Sequence, residues 1–211
     1  MADRRPIAFR DTRFAQSMAI WLTDAGVTPN GLSKTSLVFA VLAGAVFWAG
    51  AATGGAGGAL LLVLGAAAVQ LRLLCNLFDG MVAVEGGRAA PDGAFWNELP
   101  DRASDVVIFA GAGLATDSLA LGLAAAAMAV LTAYVREFGR AEGAPTDFSG
   151  PMAKAHRMAA ITLGAVVGAI QLAWTGSLVL FAAALWIVAL GTLFTALRRA
   201  ARLLDWMKTH R

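Results

Sequence analysis

Asp79, Asp101 and Asp105 stand inside or at the mouth of strongly apolar stretches of the chain. An ionised carboxylate in such surroundings is costly unless a cation or a water-filled cavity receives it, so the three mark a functional site by default. The segment that carries them, Asn76 to Asp105, reads NLFDGMVAVEGGRAAPDGAFWNELPDRASD. Asn76 and Asp79 are three residues apart, and Asn97, Asp101 and Asp105 follow one another at intervals of four. Each set therefore forms a stripe along one helix face. Two facing stripes of oxygen make a cage for a hard divalent cation, because Mg2+ and Mn2+ take carboxylate, amide and carbonyl oxygens. In such a cage Asp79 and Asp101 are the principal anionic ligands. Asn76 and Asn97 ligate through amide oxygens, each with one negative charge fewer than an aspartate. Asp105 lies a further turn along, about 6 Å from Asp101 by helical rise. It either restores part of the charge or sits too deep and hydrogen-bonds Arg72 or Arg102.

The elements that position these residues follow from composition. The 211-residue chain is 58% hydrophobic and 15% charged, with a mean hydropathy of +0.67. That is too apolar for a soluble domain of this size, and it predicts one polytopic membrane domain spanning 1–211. Six stretches are long and apolar enough to span or nearly span a bilayer, at roughly 32–50, 57–80, 94–115, 118–135, 156–174 and 178–197. The expected fold is an all-α integral membrane protein of six transmembrane helices with an N-terminal interfacial amphipathic helix.

Charge placement gives the orientation, because cytoplasmic connections carry the Lys and Arg excess. The connections at 51–56, 116–118 and 174–177 contain neither. All 17 basic residues fall on the opposite side: Arg4, Arg5, Arg10 and Arg13 before the spans; Arg88 between the second and third; Arg136, Arg140, Lys154 and Arg157 between the fourth and fifth; Arg198, Arg199, Arg202, Lys208 and Arg211 after the last; and Lys34, Arg72 and Arg102 at the cytoplasmic ends of their spans. Both termini are then cytoplasmic. This distribution accounts for the pI of about 9.6 without a nucleic-acid partner, since the basic residues follow topology rather than one groove.

Phe14, Met18, Trp21 and Leu22 recur on one helical face within 1–27, as expected of a helix lying in the membrane interface. Thr28-Pro29-Asn30 breaks it before the first span. The first thirty residues lack an uninterrupted apolar run, so no cleavable signal peptide is expected. The stretch 198–211 mixes Leu203, Leu204 and Met207 with basic residues and reads as an amphipathic cytoplasmic tail that touches anionic lipid heads. Gly164 and Gly168 form G-x-x-x-G, which permits close helix approach either within one subunit or across a homodimer. Cys75 is the single cysteine; with no partner for a disulfide or a thiolate site, it reads as a small packing residue.

Asp79, Gly80, Ala83, Gly93 and Asp101 fall in register on a longer pattern, D-x-x-D-G-x-x-A-R followed about eight residues later by G-x-x-x-D-x-x-x-D. The segment thereby resembles the signature of the CDP-alcohol phosphatidyltransferases. It departs at three positions, with Asn76 and Asn97 at acidic places and Val84 at the arginine. Gly93 to Asn97, Asp101 to Asp105, and the stretches Ala133 to Arg136 and Arg140 to Gly143 look most like the phosphatidylinositol phosphate synthase branch.

The resemblance implies displacement of CMP from a CDP-linked lipid, such as CDP-diacylglycerol, by the hydroxyl of an alcohol. Asp101 would be the general base, and Mg2+ or Mn2+ would be held among Asn76, Asp79, Asn97, Asp101 and Asp105. Asp79, Gly80, Ala83 and Gly93 would meet the CDP-lipid, with Arg88 as a weak replacement for the absent arginine. Arg136, Arg140, Lys154 and Arg157 would hold the phosphate of a phosphorylated acceptor, for which Lys and Arg suit by charge and fork geometry. It also implies a site facing the cytoplasm from a bacterial inner membrane. Competing readings are a catalytically impaired relative that binds metal or lipid, and a cation transporter with carboxylates along its path.

Overall fold

A computed structural model describes residues 8–210; Arg4, Arg5 and Arg211 lie outside them. After a 3-10 turn at Ala8–Asp11 come seven α-helices: α1 (Arg13–Asp24), α2 (Pro29–Thr53), α3 (Gly55–Val84), α4 (Gly93–Ala115), α5 (Leu119–Ala141), α6 (Lys154–Thr175) and α7 (Val179–His210). There is no strand among the described residues. Five of the helices, α2, α3, α5, α6 and α7, are long and apolar enough to cross a membrane. The fourth helix is as long as α5, but Glu98, Asp101, Arg102 and Asp105 crowd its first half. Those charges make it less apolar than the other five long helices.

Local sequence fixes the helix starts. Thr28 caps α2, its hydroxyl accepting from the Gly31 amide at 3.1 Å, and Pro29 occupies the first turn, where its missing N–H costs nothing. Thr12 caps α1 in the same way at 3.2 Å. In α1 the expected apolar stripe divides. Ala15 and Ala19 are buried against Leu32, Leu77, Phe78, Met81 and Val82, with Met18 and Leu22 packed alongside, whereas Phe14 and Trp21 face outward. The stretch 198–210 is the end of α7 rather than a separate tail. That helix has 32 residues, about 48 Å at 1.5 Å per residue, so it outruns a hydrocarbon core of about 30 Å.

The main core lies between α2, α3, α4, α5, α6 and α7, around Phe47, Phe109, Leu62, Ile161, Phe181 and Leu185. Phe47 and Phe181 meet edge to face with centroids 5.2 Å apart. Two glycines set the placement of α4. A Cβ on Gly111 would lie 2.3 Å from the Cα and carbonyl oxygen of Gly44, and one on Gly44 would lie 2.6 Å from the Val107 carbonyl oxygen. Helix α4 thus rests backbone to backbone on α2, close approach being how helices associate where lipid is as apolar as a side chain. Gly164 and Gly168 pack within the subunit: their missing Cβ atoms would meet the Cβ atoms of Ala184 at 2.3 Å and Phe181 at 2.8 Å, both on α7.

Candidate active site

Four helices meet at the polar residues. The last three turns of α3 carry Asn76 and Asp79, with Arg72 one turn before Asn76. Helix α4 brings Asp101 and Asp105, α6 begins with Lys154 and Arg157, and α2 adds Ser33. The charges form a buried string. Lys154 pairs with Asp101; Arg72 Nη2 reaches Asp101 Oδ1 at 3.3 Å and Asp105 Oδ1 at 3.1 Å; Arg157 Nη2 reaches Asp105 Oδ2 at 2.9 Å. Arg72 Nη2 also donates to the Asp101 carbonyl oxygen at 3.2 Å, and Asn76 Nδ2 donates to Asp101 Oδ1 at 2.6 Å. Asp105 and Arg72 are 0% exposed. Ionised groups survive that depth only when paired and hydrogen-bonded, which the alternation of cation and carboxylate provides.

Asp79, also buried, differs from its neighbours. It accepts from the Ser33 hydroxyl at 2.8 Å and lies near enough to Asp101 for their charges to interact. Among the described residues no three Asp, Glu, His or Cys side chains gather into a metal-binding group. An ion here would rest on the carboxylates of Asp79 and Asp101 with the amide oxygens of Asn76 and the exposed Asn97; Asp105, also expected among the ligands, instead gives one oxygen to Arg72 and the other to Arg157. Oxygen ligands of this kind suit a hard dication that keeps several waters and completes its shell with substrate phosphates.

The other predicted residues are placed as follows. Asn97 is exposed on α4, one residue after Trp96. Gly80 and Gly93 are not required by helix packing, since a Cβ on either would meet nothing within 4 Å among the described residues. Ala83 is half-buried. Val84 is 58% exposed at the last position of α3. Arg88 is exposed and off the helix, beyond Gly87, whose φ of +63° ends the helical path. Arg136 binds Glu98 through Nη2 at 2.7 Å and Glu137 through Nε at 2.8 Å, with Phe148 under its guanidinium at 5.5 Å. Arg140 is exposed and lies 3.6 Å from Glu137. Lys154 and Arg157 therefore join Asp101 and Asp105 directly, whereas Arg136 is held one step away through Glu98 on α4. Arg102 also pairs with Glu98.

Sequence reasoning missed Ser33 and Glu98 as parts of this site and took Arg72 chiefly for a topology residue. The signal for Arg72 was present, because an arginine two turns before Asp79 in an apolar helix needs a buried carboxylate. Pro100, immediately before Asp101, has no N–H to give the Trp96 carbonyl, so α4 loses one rung beside the proposed base.

No protein-family model matches the chain. It is 27% identical over 204 residues to the phosphatidylinositol phosphate synthase of Streptomyces avermitilis, covering 89% of this chain and 77% of that protein. Two crystal structures of Mycobacterium tuberculosis phosphatidylinositol phosphate synthase share its fold at 21% identity. The complex with manganese and citrate superposes with a TM-score of 0.73 over 90% of this chain and 88% of that one. The form with CDP-DAG bound gives 0.74 over 91% and 94%. By sequence and by fold the chain is a homologue of proteins named phosphatidylinositol phosphate synthase, which are CDP-alcohol phosphatidyltransferases.

Proposed function

We propose that this chain is a membrane-embedded transferase that moves a phosphatidyl group from a CDP-linked lipid such as CDP-diacylglycerol to the hydroxyl of a phosphorylated polyol, releasing CMP. The observation that carries this reading is the meeting of α3, α4 and α6 at Asp101, which Asn76 and Arg72 of α3 and Lys154 of α6 all address, in a chain homologous to such enzymes.

Asp101 takes the proton of the acceptor hydroxyl as its oxygen bonds to phosphorus and the bond to CMP breaks. Arg72 and Asn76 hold the carboxylate in one orientation for that transfer. Lys154 sits on Asp101 Oδ2 and is partly exposed, so it can turn toward an arriving phosphate. Arg157 supports it from Asp105, with Arg136 and Arg140 at the outer rim. Asp79, Gly80, Ala83 and Gly93 border the donor, where the absent Cβ atoms leave room for it. Mg2+ or Mn2+, held by Asp79 and Asp101 with Asn76 and Asn97, would neutralise charge on the phosphates and stabilise the leaving oxygen; manganese accompanies one of the homologous structures.

The decisive measurement is CMP release by the purified chain with CDP-diacylglycerol and Mn2+ over a panel of acceptors. Release is expected with inositol phosphate or another phosphorylated polyol and not with the free polyol. Failure to release CMP with any acceptor in the panel would favour the alternative, a relative impaired by Asn76, Asn97 and Val84 that binds metal or lipid without turnover.

Six spans, an interfacial α1 and a cytoplasm-facing site in a bacterial inner membrane complete the reading. Its support is the absence of Lys and Arg at 51–56, 116–118 and 174–177 and the contact of α4 with its apolar neighbours. Single cysteines at Thr53 and Ser118, in a Cys75→Ala background, are expected to react only from the outer side. Reaction of either from the cytoplasm overturns the orientation.

A further inference from the structure

The donor diphosphate carries charge that a metal ion offsets only in part, and the cations already inside the site have other work: Lys154 is assigned to the acceptor phosphate, Arg72 bonds Asp101 and Asp105, Arg157 bonds Asp105, and Arg102 and Arg136 bond Glu98. At position 84 the helix offers valine, and Arg88 lies past the turn at Gly87. The corner between the cytoplasmic ends of α2 and α4 holds another cation. Lys34 Nζ rests 4.4 Å from the centroid of the Trp96 ring, within the field of the Asp92 carboxylate but not in an ion pair with it. That ring is itself fixed, since Trp96 Nε1 donates to Asp92 Oδ2 at 2.9 Å and Asn30 Nδ2 donates to Asp92 Oδ1 at 3.0 Å.

The position is bracketed on both sides by the site. Lys34 follows Ser33, whose hydroxyl binds Asp79, and the ring under its ammonium precedes Asn97. We propose that Lys34 grips the diphosphate of the CDP-linked donor, taking the place of the cation that position 84 lacks. It rests on Trp96 in the free protein and moves to the phosphates when the donor arrives, because a charge-assisted bond to phosphate outweighs an exposed contact with a ring. Asn30 and Asp92 keep the Trp96 platform oriented under the ammonium.

This inference rests on the transferase reading, and equilibrium binding to the full chain in nanodiscs tests both. Lys34→Gln is expected to weaken CDP-diacylglycerol binding by about tenfold to a hundredfold, to leave binding of cytidine, which has no phosphate, unchanged, and to spare the acceptor constant. Lys34→Arg keeps the charge and is expected to bind the donor almost as the unaltered chain does. Should Lys34→Gln fail to fold, Lys34→Met carries the same comparison. Undiminished donor binding in the neutral variant overturns the assignment, as does an equal loss in Lys34→Arg or a parallel loss for cytidine. Failure of the unaltered chain to bind CDP-diacylglycerol sinks the transferase reading, and this assignment with it.

Discussion

Asp101→Asn is expected to lower CMP release by about a hundredfold to ten-thousandfold, the range over which a positioned general base acts. The substitution keeps the shape of the side chain and removes the one oxygen pair that Lys154, Arg72 and Asn76 all address. Folding should survive it. Arg72 keeps its bonds to the Asp101 carbonyl oxygen and to Asp105, neither of which the change touches, and the partly exposed Lys154 can turn to water. The measurement is turnover at saturating donor and acceptor, with thermal unfolding in the same detergent as the control. Turnover equal to that of the unaltered chain removes Asp101 from the reaction.

Spacing alone placed Asn76 and Asp79 on one face of α3 and Asp101 and Asp105 on one face of α4, because intervals of three and four fix a helix face; the structure joins the two helices through Asn76 and Asp101. Hydropathy likewise located the helices to within a few residues at most of their ends. The depth and direction of the cations were not legible. Arg72 and Arg157 were counted correctly as belonging to one half of the molecule, but positive-inside arithmetic says nothing of which helix face a residue occupies, and both prove to point at Asp105. The contact that seats α4 was hidden for a related reason. Gly164 and Gly168 make a visible pattern because they share a helix, whereas Gly44 and Gly111 meet across two helices and leave no local trace. In α1 the periodicity identified apolar residues, yet lipid and protein are equally apolar, so it did not separate Met18 and Leu22 from Phe14 and Trp21. The end of α7 reads as a tail by charge, but Leu, Arg, Ala and Lys are all good helix formers, and nothing there stops the helix.

Asp105→Asn should act mainly on stability. Its carboxylate is the shared partner of Arg72 and Arg157, all three being buried, and removing one member of a buried ionic group leaves uncompensated charge at a cost of about 3–5 kcal/mol. Alternative partners are few. Arg72 directs its described bonds through Nη2 alone, while its Nε and Nη1 meet no protein acceptor among the described residues. Among the described residues Arg157 otherwise reaches only the Met152 carbonyl, at 3.2 Å. The variant is therefore expected to unfold at a clearly lower temperature, and whatever remains folded should keep more turnover than Asp101→Asn. Adding Arg157→Met, which removes the stranded cation and fills its volume with an apolar side chain, should recover part of the loss, so that the pair costs less than the sum of its members. An unchanged unfolding temperature in Asp105→Asn, or strict additivity in the double variant, would mean that the charges along α3, α4 and α6 act independently and that Asp105 does not hold the two arginines in place.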